Sequence, residues 1–327
     1  MPVLYWTGAT DGDWSTASNW STGSAPVAGS EVIFDGRSTQ AVLTGAAIGD
    51  TGGLNVDLLH VKSSYAQNIG TNSLPIHLEP DAVIYEGSGV MYLQCSAANA
   101  SSDSTINEVI VNSAGSLYLS SDVNTAAETA EITLAHIAKG TVYIQDDCNL
   151  RNLRIVPTRG NSSNVVVDIG QTCSREKATA ANMNIYMQSG TLTIDSPVNT
   201  FEVYDGTITY GDSGSAITGL DITTLRMYAG TFNWQPDDTG DDAFIGSLWL
   251  YGGTLDASGS VNNDRALVLG NGAGKDIFVY TGATLNINRN SAAITVAGSS
   301  ELINLGGTIT VGRNVQLALT ENVSWYD

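Results

Sequence analysis

Apolar and polar residues alternate in short runs along most of the chain, and the runs are broken by a glycine that threonine or serine most often follows. The clearest copies are IYMQSGTLTI (185–194), FEVYDGTITY (201–210), TTLRMYAGTFNW (223–234), LWLYGGTLDA (248–257) and IFVYTGATLNI (277–287). Looser copies are YEGSGVMYL (85–93), VNSAGSLYL (111–119), AHIAKGTVYI (135–144) and NLGGTITV (304–311). Alternation with period two predicts strands with one buried face. The residues five and three before each glycine then share the inner face: Ile185/Met187, Phe201/Val203, Leu225/Met227, Leu248/Leu250 and Ile277/Val279. After the glycine the inner set resumes as Leu192/Ile194, Ile208/Tyr210, Phe232/Trp234 and Leu285/Ile287. The glycine marks a corner, where a Cβ would obstruct a positive φ or a close approach, and the threonine hydroxyl serves the turn.

The corner glycines are Gly89, Gly115, Gly140, Gly190, Gly206, Gly230, Gly253, Gly282 and Gly307, separated by 26, 25, 50, 16, 24, 23, 29 and 25 residues. The period is near 25, with the doubled step hiding a coil at SNVVVDI (163–169), where alternation survives without the glycine. A propeller blade needs about 40–50 residues for four strands, whereas a coil of parallel β-helix fits two or three short strands and their turns into about 25. The leucine-asparagine pattern of leucine-rich repeats is missing. The predicted fold is therefore all-β, a right-handed parallel β-helix over 37–327 preceded by an N-terminal segment, 1–36.

Composition agrees: charged residues are only 14% while glycine reaches 35 residues, a mixture suited to strands and tight turns. Thirteen Lys and Arg against 33 Asp and Glu leave a net charge of −20. That sign excludes sustained contact with a phosphate backbone, so no nucleic acid partner is expected. The start, MPVLYWTGATDGDWS, lacks a basic segment followed by an apolar run, so the expected site of synthesis is the cytoplasm, with no signal peptide and no membrane partner. Cys95, Cys148 and Cys173 show no CxxC spacing and read as reduced, small apolar residues.

Residues 1–36 carry three of the six tryptophans, Trp6, Trp14 and Trp20. A solenoid's first coil is an open edge that needs a cap, and these rings are the material for one. The order W-x-G…W…N-W-S-x-G…P…V-x-F resembles a short module at the start of Gly/Thr-rich β-solenoid proteins, among them structural proteins of tailed bacteriophages and some secreted bacterial passenger domains. The resemblance covers about a tenth of the chain and implies architecture, not activity, because such solenoids serve as decorations, fibres, adhesins and lyases. No catalytic residue follows from it.

Outward positions carry the candidate chemistry. Tyr204, Tyr228, Tyr251 and Tyr280 occupy the slot two before the glycine, and Tyr186, Glu202, Arg226, Trp249 and Phe278 the slot four before it. Equal slots stack in a solenoid, so Tyr228, Trp249, Tyr251, Phe278 and Tyr280 are expected to join Tyr204 in one aromatic face. Three readings stand: a subunit interface, a ladder that only stabilises the sheet, and a sugar-binding surface. Tyr92, Tyr118 and Tyr143, three after earlier glycines, form a second expected ladder. Asp237, Asp238, Asp241 and Asp242 in PDDTGDD offer oxygen ligands of the kind Ca²⁺ takes, without the spacing or closing glutamate of an EF-hand. GDSGS (211–215) mimics a serine-protease motif around Ser213, in a fold that does not supply the distant His and Asp; His60, His77 and His136 share no motif.

These features lead to one functional expectation: a non-enzymatic structural protein of a bacteriophage particle, a decoration or knob on the outer head, homo-oligomeric with threefold symmetry favoured, contacting the major capsid or another virion protein. The rivals are a tail fibre or spike that engages host glycans, and a polysaccharide depolymerase, for which no clustered acid–base constellation is visible.

Overall fold

The computed structural model describes residues 1–43, 54–95, 104–121, 130–145, 148–158, 165–170, 183–211, 221–235, 243–258, 267–270, 276–287, 294–296, 300–312, 317–319 and 323–325. Among them the chain is all-β, with one 3₁₀ turn, Ala17–Asn19, and no α-helix. Strands pair in parallel, each with its counterpart one repeat later, which makes a β-solenoid with coils about 25 residues apart. The chain divides into two compact units, Met1–Asp168 and Ala180–Asp327.

In the first unit one inward column runs Leu4, Val32, Leu59, Val83, Val109, Ala135 and Leu153, each in register with the next. All seven are at most 2% exposed. A second column on the next sheet runs Met91, Leu117 and Val142, followed two residues on by Leu93, Leu119 and Ile144. A third, smaller sheet stacks Ser104–Ile106, Ala130–Ile132 and Cys148–Leu150. Hydrophobic burial from several faces of each coil supplies the core that a lone strand cannot form.

The second unit repeats the scheme. Its first column runs Ile185, Phe201, Leu225, Leu248, Ile277 and Leu302, and the next sheet contributes Leu192, Ile208, Phe232, Leu255 and Leu285. Every one of these is at most 4% exposed. Tyr210 and Trp234, aromatic at positions that the alternation places inside, are fully buried and stacked, ring centroids 5.0 Å apart. The expected strand hidden in the doubled step is present as Val165–Ile169, with alternating burial.

The corners explain the glycines. Gly206 and Gly230 sit at φ +106° and +83°, a region hostile to side chains, and a Cβ on either would stand 2.5 Å from the carbonyl oxygen of the corner glycine one coil earlier. Those same carbonyls accept the next threonine's amide: Thr207 N–H donates to Gly190 O at 2.9 Å and Thr231 N–H to Gly206 O at 2.8 Å. Close approach and hydrogen bonding are thus one feature. In the last described repeat the positive φ falls on Gly306, not on Gly307 as the spacing suggests.

Strands Val3–Tyr5 and Glu31–Phe34 are the first two rungs of the column, and the intervening segment folds over the first of them. Ser21 N–H donates to Tyr5 O at 3.0 Å, its Oγ accepts Tyr5 N–H at 3.0 Å, and Trp6 bridges Trp20 in antiparallel sense. Tyr5's backbone groups on the open edge are thereby occupied. Trp6, Trp14 and Trp20 pack on one another and on Phe34, with Trp6–Trp20 at 5.1 Å and Trp14–Trp20 at 4.7 Å, both edge-to-face. Buried Asn19 ties the loop, its Oδ1 accepting Thr10 N–H at 2.8 Å while its Nδ2 donates to Asp11 Oδ1 at 2.6 Å. The bond from Asp13's amide, then that from Asn19, holds the Asp11 carboxyl below its usual range.

Candidate functional site

The outward positions of the second unit form two adjacent columns. In the first, Tyr186, Glu202, Arg226, Trp249, Phe278 and Ile303 are successive register partners on the strands that carry the inward column. Because residues alternate across a strand, burying Phe201 and Val203 turns Glu202 outward, and the same holds one coil at a time. The second column lies where each strand runs into its corner: Tyr204, Tyr228, Tyr251 and Tyr280.

The rings stack. Tyr204–Tyr228, Tyr228–Tyr251 and Tyr251–Tyr280 have centroids 4.6, 5.0 and 4.8 Å apart, with interplanar angles of 12°, 13° and 23°. Trp249 and Phe278 lie parallel at 6.1 Å, and Phe278 joins the tyrosine column through Tyr280 at 6.3 Å. Arg226 links the charged and aromatic ends of its column, its guanidinium 3.1 Å from Glu202 and 5.1 Å from the Trp249 centroid. All six aromatic residues named from the sequence are thus brought into one strip.

What the strip presents differs from an open aromatic platform. Tyr204, Tyr228 and Tyr251 are 38–40% exposed, yet the faces of the two inner rings, Tyr228 and Tyr251, are covered on both sides by their neighbours. Trp249 is likewise held between Arg226 and Phe278. With both faces stacked, what Tyr228 and Tyr251 leave exposed is their edges. Sugar stacking needs a free ring face, so this geometry favours an edge-on protein contact over a pyranose platform. Desolvation, then the Glu202 carboxylate and the neighbouring tyrosines, push the Tyr204 phenol above its ordinary pKa, so that phenol keeps its proton to donate.

The second ladder is tighter. Tyr92, Tyr118 and Tyr143 are register partners in the first unit, with centroids 4.5 and 4.4 Å apart and planes within 15° and 10° of parallel. Sequence reasoning did not pair the charges: Glu202 and Arg226 stand in one slot on successive coils, opposite in sign, and that juxtaposition was the available signal. Nor did it single out the column Thr191, Thr207, Thr231, Thr254, Thr284 and Thr308, whose members follow the corners in unbroken register.

The remaining candidates are dispersed. Asp237, Asp238, Asp241 and Asp242 lie outside the described residues, as do Ser213 and Cys173. Among the described residues no group of three or more His, Cys, Asp or Glu is placed to hold a metal ion. His60 Nε2 lies 3.3 Å from Glu86, His77 is buried on Ile76–Tyr85, and His136 stands in register with Ile110 and Arg154. Cys95 and Cys148 are free and buried; hydrogen bonding to Cys95, with burial, pushes the Cys148 thiol well up. No helix among the described residues is long and apolar enough to cross a membrane. No protein family, curated protein or solved structure matches the chain.

Proposed function

We propose that the chain is a non-enzymatic structural protein of a tailed-bacteriophage particle, a decoration or knob on the outer surface of the head, assembled as a homo-oligomer of cyclic, threefold symmetry. The strip Tyr204, Tyr228, Trp249, Tyr251, Phe278 and Tyr280 is its contact with a second subunit or with the capsid. The observation that carries this reading is the edge-on stack: half-exposed rings whose faces are covered, fixed on consecutive strands of a solenoid. Aromatic residues are enriched at protein contacts, and rings already immobilised lose little further entropy on docking. The net charge of −20 suits an outer surface and not a DNA-lined interior, while the N-terminal tryptophan module supplies the resemblance to phage solenoids.

Two measurements test it. Light scattering of the purified chain is expected to give a multiple of the 34.2 kDa protomer mass, and the double variant Tyr228→Glu/Tyr251→Glu to give the protomer mass with unchanged β circular dichroism. Cryo-electron microscopy of particles that carry the protein is expected to place it on heads; density on tails alone defeats the decoration reading. Specific binding on a glycan array, lost in Tyr228→Ala, transfers the strip to receptor recognition, and release of oligosaccharides from host capsule transfers the protein to the depolymerases.

A further inference from the structure

We propose that the ladder Tyr92–Tyr118–Tyr143 is an oxidative cross-linking site, at which one-electron oxidation joins neighbouring coils of the first unit through a dityrosine bond. The inference is independent of the function proposed above and concerns residues that reading does not use.

Three observations carry it. The rings are nearly parallel with centroids 4.4–4.5 Å apart, the closest tyrosine contacts among the described residues, so equivalent ring carbons of successive tyrosines face one another. The parallel register that sets this spacing is anchored on both sides by buried residues, Met91, Leu117 and Val142 before the rings and Leu93, Leu119 and Ile144 after them. All three tyrosines are half-buried, open enough to yield an electron to an oxidant in solution and held firmly enough that the resulting radical meets its neighbour before another chain.

The chemistry balances as follows. Each of two tyrosines gives one electron to a one-electron oxidant, such as a ruthenium(III) trisbipyridyl complex or a peroxidase fed with peroxide, and one proton to water, leaving two phenoxyl radicals. The radicals couple between ring carbons ortho to the hydroxyls. The hydrogen on each of those carbons then moves to the phenol oxygen and restores both aromatic rings. One carbon–carbon bond forms, two carbon–hydrogen bonds break, and the oxidant takes two electrons in all; with peroxide the by-product is two molecules of water.

The chain's own cleavage sites make the test specific. Trypsin cuts after Lys62, Lys139 and Arg151, so Tyr92 and Tyr118 fall in fragment 63–139 and Tyr143 is the single tyrosine of fragment 140–151. Dilute, folded full-length protein is oxidised briefly with the photogenerated ruthenium(III) complex, then denatured, digested and weighed. The expected product is 63–139 joined to 140–151 with two hydrogens lost, together with blue dityrosine fluorescence. Tyr118→Phe, which keeps the ring stack but removes the phenol, is expected to abolish the joined fragments, because Tyr92 and Tyr143 are two coils apart. Tyr65→Phe, at a buried ring outside the ladder, is expected to leave the yield unchanged. Recovery of 140–151 unjoined, joining that persists in Tyr118→Phe, or cross-links found only between chains overturns the proposal.

Discussion

At the scale of single residues, the corner glycines separate two requirements that are usually confounded. Gly230 has φ +83° and would push a Cβ to 2.5 Å from Gly206 O; Gly282 has φ +89° and nothing within 4 Å of the same position. Gly282→Ala therefore meets backbone strain alone, about 1 kcal/mol. Gly230→Ala adds a collision with a backbone carbonyl that is already accepting a hydrogen bond, and about 3–4 kcal/mol is expected in total. Urea midpoints of the two variants measure the difference, and equal losses would show that the close packing of corners contributes nothing. The glycines themselves were legible in the sequence, since nothing else recurs at that slot. Which of the two reasons holds at each was not: Gly89 and Gly115 carry no positive φ and are glycine because Gln67 O and Gly89 O, respectively, occupy the space of a side chain.

At the scale of the element, a strand here is one rung of several columns, and its outward residues matter through their neighbours above and below. Tyr228 stacks on Tyr204 and Tyr251, so its ring, not its hydroxyl, is what the column needs. Tyr228→Phe is expected to stay within about 0.5 kcal/mol of the parent, whereas Tyr228→Ala opens a gap between two half-exposed rings and costs about 1–2 kcal/mol. The comparison is made by chemical denaturation at a concentration where the chain is a protomer; a phenylalanine variant as weak as the alanine one would assign the stabilisation to the phenol oxygen. Columns such as Phe201–Leu225–Leu248 follow from the amino-acid sequence alone, because each of these coils carries its own glycine from which to count. The Cys95–Cys148 contact does not: the two residues sit on different sheets, and no repeat slot relates them. The alignment of ring planes is equally hidden, because slot counting gives a column's membership and not which part of each ring faces water.

For the molecule as a whole, alkaline pH is the condition that probes both cores. Burial pushes the Tyr85 phenol up to about 12, partly offset by a Ser113 hydrogen bond, and pushes Tyr65 higher still. In the second unit burial, then Asp221 and Asp195, raise Tyr210. Below about pH 10 these phenols are protonated whether the chain is folded or not, and their contribution is fully present. Above it the unfolded chain releases protons first, so stability falls as pH rises; for Tyr85 alone the loss between about pH 10 and pH 12 is about 2 kcal/mol. Urea midpoints are expected to be flat to about pH 9.5 and to drop by about pH 11, less steeply in Tyr85→Phe; a midpoint that stays unchanged over this range would mean the rings are not sealed from solvent. The nearest-coil character of the contacts has a consequence for how such a chain changes over generations. Nearly every bond that holds a coil is made to the coil before or after it, and consecutive coils offer matching corners and matching columns. A duplicated or deleted stretch of one full period rejoins corner to corner and column to column, while a frame one residue off turns the core outward. The length of each unit is thus the easily inherited variable, and its cross-section the guarded one.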